Sequence, residues 1–258
     1  MWEKELNFAI EAGKSAIKYI LEIYNSNFDV EFKNDNSPVT KADKISDKII
    51  RDYLSKEYPT YSFLTEESFD DLTRLKNDYV WIVDPLDGTQ EFITKNNQFT
   101  INIALSYKHE IVVGVILVPV TGEIYFASKG NGAYRIKNSV TEKIHVSNKI
   151  DNLTVLMSVS HKVREEEIML KKHSDVIKNS FEVGASLKAC LIAEGTADLF
   201  YRLSSGTKEW DTAASQCIVE ESGGLLVKPN GEPLTYNRED VYNREGFIIA
   251  NKKENILL

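Results

Sequence analysis

The run Trp81-Ile82-Val83-Asp84-Pro85-Leu86-Asp87-Gly88-Thr89 constrains this chain more than any other stretch. Three apolar residues suited to a strand lead into two aspartates three positions apart, and a Gly-Thr step follows at once. A short apolar run of this kind fits a buried strand, which would end at Asp84 and hold that carboxylate rigidly. Pro85 fixes its own φ and keeps its neighbour extended. Asp87 then projects near Asp84, and the Leu86 carbonyl is forced outward as a third oxygen donor. Gly88 permits close backbone approach, so the N–H groups of Gly88 and Thr89 can face an anion at a helix start. Hard oxygen donors beside such a nest suggest Mg²⁺-assisted phosphate chemistry. Asp-Pro and Asp-Gly also form ordinary turns. On this run alone the two readings weigh about the same, and partners elsewhere decide.

The chain has 258 residues, 42% of them hydrophobic and 27% charged. That is an ordinary globular balance, with room for one large domain or two subdomains. A net charge of −8 argues against binding a nucleic-acid polymer or an anionic membrane. A small anionic substrate would depend on local positive charge. Cys190 and Cys217 form no CxxC pair and read as reduced, buried residues. The start is charged and amphipathic, unlike a signal peptide, and no apolar run approaches membrane-spanning length. The cytoplasm is the expected compartment, with peripheral attachment to an inner membrane left open.

Leu6, Ala9, Ile10, Gly13, Ala16, Ile17, Ile20, Leu21 and Tyr24 recur at helical spacing, which predicts a long first helix with one apolar face. A turn segment at 34–38 precedes a second helix at 41–56. A short strand at 61–65 delivers Glu66 and Glu67, and 99–107 with 111–118 reads as a hairpin. Two more short strands follow near 123–127 and 133–136. Asp151-Asn152 reads as a boundary. Beyond it come strands at 154–158, 180–183 and 198–201, each followed by a helix (164–173, 186–194 and 210–221), then strands at 225–227 and 247–250. The expectation is an α+β half over residues 1–150, carrying the metal and phosphate site. An α/β half over 151–258 would complete that site and bind substrate.

Four further elements could converge on the central strand end. Thr65-Glu66-Glu67-Ser68 offers two carboxylates, though alone it reads as a solvated loop. Val39-Thr40-Lys41-Ala42-Asp43 also fits plain helix capping. Glu209-Trp210-Asp211-Thr212-Ala213-Ala214 places an acid at the start of a helix rich in small residues. Ser158-Val159-Ser160-His161-Lys162 and Gly184-Ala185-Ser186-Leu187-Lys188 offer anion contacts.

Taken together, these elements resemble the lithium-sensitive, Mg²⁺-dependent phosphomonoesterase superfamily that includes inositol monophosphatase and fructose-1,6-bisphosphatase. The shared pattern is Asp-Pro-Leu/Ile-Asp-Gly-Thr with an upstream Glu-Glu and a downstream Trp-Asp, present here in order from the first helix to the final strand. Within it, Gln90-Glu91-Phe92-Ile93, residues 99–105 and above all Gly184-Ala185-Ser186-Leu187-Lys188 are most similar to the bacterial 3′(2′),5′-bisphosphate nucleotidases. The resemblance implies a layered αβαβα fold and two or three Mg²⁺ ions held by Glu66, Asp84, the Leu86 carbonyl, Asp87 and Asp211. It implies proton handling by Asp43 and Thr89 with Glu66, and a supporting role behind the ligands for Glu67. Gly88, Thr89, Ser160, His161, Gly184, Lys188 and Arg202 would contact substrate. The implied reaction is hydrolysis of adenosine 3′,5′-bisphosphate, a by-product of sulfate assimilation, to AMP and phosphate by a metal-activated water. Lithium sensitivity and a monomer or homodimer are implied as well. Alternatives are an inositol or sugar-phosphate monophosphatase and, more remotely, a non-catalytic Mg²⁺- or phosphate-binding regulator. A two-carboxylate glycosidase ranks low, because it would not need the Gly-Thr nest.

Overall fold

A computed structural model describes residues 1–33, 37–160 and 163–257. The chain begins with α1 (Glu3–Tyr24), a small hairpin of β1 (Val30–Phe32) and β2 (Pro38–Thr40), and α2 (Lys41–Glu57). Next come β3 (Ser62–Thr65), β4 (Tyr79–Asp87) and the one-turn α3 (Thr89–Ile93). A meander follows: β5 (Thr100–Tyr107), β6 (Glu110–Val118), β7 (Glu123–Ser128), β8 (Ala133–Lys137) and β9 (Val140–Ile144). The last part contains β10 (Leu153–Ser158), α4 (Arg164–Lys172), β11 (Ile177–Val183), α5 (Leu187–Ala193) and β12 (Leu199–Arg202). It closes with α6 (Glu209–Glu221), β13 (Leu225–Val227) and β14 (Phe247–Ala250).

Strands β3 to β9 form a seven-stranded sheet in chain order, and the later strands form a five-stranded sheet of order β11-β10-β12-β14-β13. Strand residues alternate between faces, and here each face feeds a different core. Trp81 and Val83 join Ile101, Ile103 and the apolar stripes of α1 and α2, whereas Val80 and Ile82 face α5 and α6. In the second sheet Phe200 and Ile249 face those same two helices, while Leu199, Tyr201 and Ile248 pack with Met169 of α4. The layers are therefore αβαβα. Helices α5 and α6 are shared by both sheets, and each aliphatic side chain buried there contributes roughly 1.5–3 kcal/mol.

The fold departs from the sequence reading in places. The turn region is flanked by the β1–β2 hairpin, its Asn34, Asp35 and Asn36 lying outside the described residues. Strand β9 was not anticipated, since Val140-Thr141-Glu142-Lys143 is an exposed edge with no apolar alternation. Strand β11 begins earlier than expected because it pairs along the whole of β10 while most of its residues stay exposed. Most important for the site, β4 does not end at Asp84 but continues through Asp87.

Candidate active site

That continuation brings the two aspartates together. In a regular strand, residues three apart point to opposite faces. Here Asp84 pairs with Asn102 and Asp87 with Thr100, so three steps along β4 match two along β5. The extra residue is a bulge, and it returns Asp87 to the face that Asp84 occupies. The Ser46 hydroxyl of α2 fixes the bulge by donating to the Pro85 carbonyl at 2.8 Å. The Leu86 N–H closes onto Asp84 Oδ1 at 3.1 Å.

Asp211 arrives from the first turn of α6, where its Oδ2 accepts the Lys208 N–H at 2.6 Å. Helix α6 approaches the sheet closely because position 114 has no side chain. A Cβ there would lie 2.6 Å from the Ala214 oxygen and 2.7 Å from Cys217 Cβ. One carboxylate oxygen from each of Asp84, Asp87 and Asp211 lies within 4.8 Å of the others. At an effective dielectric of ~20, each pair of charges at that spacing repels by roughly 3.5 kcal/mol. Burial, then Glu66, Asp87 and Asp211, hold Asp84 well above the usual carboxylate range. Asp211 is pushed up to about 8 by burial, with Asp87 and Glu66 adding to it. Asp87 Oδ2 accepts hydrogen bonds from Ser186 Oγ at 2.6 Å and Asn102 Nδ2 at 3.1 Å. An oxygen-only, partly buried and mutually repelling donor set fits a hard divalent cation such as Mg²⁺.

Glu66 borders this trio and lines the same cavity, but its carboxylate is ion-paired. Lys33 Nζ lies 2.9 Å from Glu66 Oε1 and 2.5 Å from Glu67 Oε1. Burial pushes Glu67 up to about 7, with Lys33 opposing the shift. Asp43 makes contacts on both sides of its carboxylate. Its Oδ2 caps α2 by accepting from the Thr40 N–H at 2.8 Å and the Thr40 hydroxyl at 2.6 Å. Its Oδ1 accepts from the Thr89 hydroxyl at 3.1 Å. Thr89 Oγ1 also lies 3.5 Å from the Leu86 carbonyl. Gly88 has φ 90°, a left-handed conformation that suits glycine.

The cavity over these groups has a volume of about 570 Å³. Its lining also includes Lys188, Arg202, Phe200 and Trp210. Lys188 is 8% exposed. Its Nζ donates to the Ala185 carbonyl at 2.7 Å and the Val183 carbonyl at 3.2 Å, and sits 5.1 Å from the centre of the Phe200 ring. Burial brings its pKa down to about 8, while Asp87 and Glu91 work in the opposite direction. Ala185 holds a left-handed φ of 48° within this segment, a sparsely populated state for a residue with a Cβ.

Three of the expected substrate contacts sit as follows. Gly184 is not kept free for a ligand. Its N–H donates to Gln98 Oε1 at 2.7 Å, and a Cβ would lie 2.7 Å from Glu91 Cγ. Glycine is needed there because protein packs on protein. Ser160 does line the cavity, but its hydroxyl donates to Glu91 Oε1 at 2.7 Å. His161 lies outside the described residues.

A model described as the inositol monophosphatase family matches residues 1–257. The chain belongs to the inositol monophosphatase family. It is 31% identical over 248 residues to the 3′(2′),5′-bisphosphate nucleotidase CysQ of Aggregatibacter actinomycetemcomitans, covering 95% of this chain and 92% of that one. Identity to the protein of the same name from Buchnera aphidicola is 37% over 254 residues, covering 96% and 92%. Among solved structures, CysQ from Bacteroides thetaiotaomicron superposes with a TM-score of 0.85 at 35% identity, covering 98% of this chain and 99% of that one. Among the described residues, no helix is long and apolar enough to cross a membrane.

In this family member several site residues carried no sequence signal. Lys33 is a lone lysine whose partners lie more than thirty positions away. Asn102 and Ser186, which bond Asp87, fell within runs that the sequence singled out, though nothing there marked them as partners of Asp87. Lys208 and Trp210 line the cavity, and only Trp210 belonged to a motif.

Proposed function

We propose that this chain is a Mg²⁺-dependent phosphomonoesterase that converts adenosine 3′,5′-bisphosphate to AMP and inorganic phosphate. The observation that carries the reading is a cavity whose lining combines two kinds of charge. Its walls hold the acidic trio beside Thr89 and also the buried ammonium of Lys188 with Arg202. A substrate with one phosphate to lose and one to keep matches that pairing. The names of its curated relatives support the same substrate.

Asp84, Asp87 and Asp211 would hold Mg²⁺, with Glu66 and the Leu86 carbonyl beside them. When bound, the ion supplies charge neutralisation and Lewis acidity toward phosphate and water. The chain's own groups handle the proton. A hydroxyl has a single donor, and Thr89 spends it on Asp43, so its lone pairs are presented to a water that must lose a proton. In-line attack would join that water oxygen to phosphorus and break the bond to the 3′-oxygen. The water proton passes through the Thr89 hydroxyl to Asp43, and the departing 3′-oxygen takes one proton from solvent water to give AMP. The Gly88 and Thr89 amides would orient phosphate oxygens. Lys188 and Arg202, with Ser160 and His161, would retain the 5′-phosphate. Residues 1–150 thus contribute the reacting end and Asp211, Lys188 and Arg202 of 151–258 complete it, in a cytoplasmic enzyme.

A phosphate-release panel tests this. Adenosine 3′,5′-bisphosphate should be turned over far faster than inositol 1-phosphate or a hexose phosphate, and only with Mg²⁺ present. Equal rates, or a preference for the inositol ester, would overturn the substrate assignment.

A further inference from the structure

Glu66 and Asp211 reach the site from distant parts of the chain and must stay close despite their charge. Behind them runs a buried polar relay that touches both arms. Arg74, 1% exposed, sits in the short helical turn that follows Glu66 and Glu67. Its guanidinium donates to Asp70 Oδ2 at 2.7 and 3.0 Å, to Asn237 Oδ1 at 2.8 Å and to the Arg238 carbonyl at 2.9 Å. The next link is Glu209, fully buried and two residues before Asp211. Its carboxylate accepts the Asn237 N–H at 2.7 Å and the Arg238 N–H at 2.8 Å, with Arg238 Nε 3.3 Å away. Asn243 completes the loop by donating to the Lys208 carbonyl at 3.0 Å, and the Glu209 N–H donates to the Val241 carbonyl at 2.9 Å.

We propose that Asp70, Arg74, Asn237, Arg238 and Glu209 form one positioning device that locks the segment bearing Glu66 to the helix start bearing Asp211, presetting the spacing of the metal cage. None of these five reaches the reacting atoms. The helix start is held through charge-assisted bonds to backbone N–H groups of the 237–243 loop, which are stronger and more directional than neutral ones. Ordinary packing would not need the fully buried Glu209 carboxylate and the buried Arg74 guanidinium joined through Asn237 and Arg238, because an apolar substitute is usually as stable. The arrangement fits a demand for geometry.

The inference rests on the reading of Asp84, Asp87 and Asp211 as a Mg²⁺ site, and the test separates the two. Mg²⁺ is titrated calorimetrically into the full chain, the Glu209→Gln, Arg74→Met and doubly substituted variants, and Asp84→Asn, with melting curves for each. Supporting residues behind metal ligands typically change affinity by roughly ten- to a hundredfold. Each single variant should lose affinity on that scale, recover most of its kcat at saturating Mg²⁺, and show no further loss when combined, since both cut the same link. Folded single variants that bind Mg²⁺ as the parent does, with only a lowered Tm, would overturn the inference. So would additive losses in the double variant. Should Arg74→Met fail to fold, Asp70→Asn at the more exposed end of the relay reads out the same link. A parent chain that binds no Mg²⁺, or an Asp84→Asn chain that binds it unchanged, would instead sink the metal-site reading.

Discussion

Binding Mg²⁺ should expel a proton, and the structure sets the scale. Asp211 is pushed up to about 8 by burial, Asp87 and Glu66, against an ordinary value of ~3.9. That difference corresponds to on the order of 5 kcal/mol opposing ionisation in the metal-free fold. The folded value lies above the unfolded one, so the contribution to stability is fullest below about pH 4 and is lost as pH rises through about 8. Metal-free protein should therefore melt at progressively lower temperature from about pH 4 to 8, and Mg²⁺ should raise Tm most at the alkaline end. The dissociation constant for Mg²⁺ should fall about tenfold per pH unit between about pH 6 and 8, then level off. Calorimetry in two buffers of different protonation enthalpy counts the proton directly. Affinity that stays constant over that range, with equal heats in both buffers, would refute the reasoning, because the carboxylates would then be ionised before the metal arrives.

Lys188→Met removes a charged donor worth roughly 1.5–3 kcal/mol, so kcat/KM for the bisphosphate should fall about 10- to 100-fold. Turnover of a simple phosphomonoester should hardly change, and equal losses on both would remove Lys188 from recognition of the second phosphate. Thr89→Val deletes the hydroxyl bonded to Asp43 and should lower kcat by roughly 10²–10⁴. Mg²⁺ affinity measured by calorimetry should be unchanged, and near-normal kcat would end the proposed proton relay. Gly114→Ala would set a methyl 2.6 Å from the Ala214 oxygen. It should destabilise the fold by about 1–3 kcal/mol in urea denaturation, and an unchanged midpoint would mean that α6 does not ride so close to β6.

The amphipathic stripes of α1 and α2 and the alternating apolar strands were legible because burial sets their period. The acidic residues of the site were legible as types in order. What the sequence concealed was how they meet. Asp84 and Asp87 at an odd spacing share a face only through the bulge at 85–86, and the bulge depends on pairing with Asn102 and Thr100 across β5. Lys33 is the clearer case. Nothing local marks it as the partner of Glu66 and Glu67, since that contact exists only once the β1–β2 hairpin folds over β3. At Gly184 a glycine beside a lysine suggested close approach of a ligand, and nothing local showed that Glu91 and Gln98 fill the space a side chain would take. Thr40 and Asp43 posed a choice between capping and a contact with Thr89, and the carboxylate makes both because its two oxygens face different partners.

The most direct measurement is an anomalous difference map from crystals grown with Mn²⁺ in place of Mg²⁺. Density should lie between Asp84, Asp87 and Asp211, with carboxylate oxygens about 2.0–2.3 Å from the ion as hard octahedral cations require. A map with no peak there, and the three carboxylates turned apart at full metal concentration, would contradict the account.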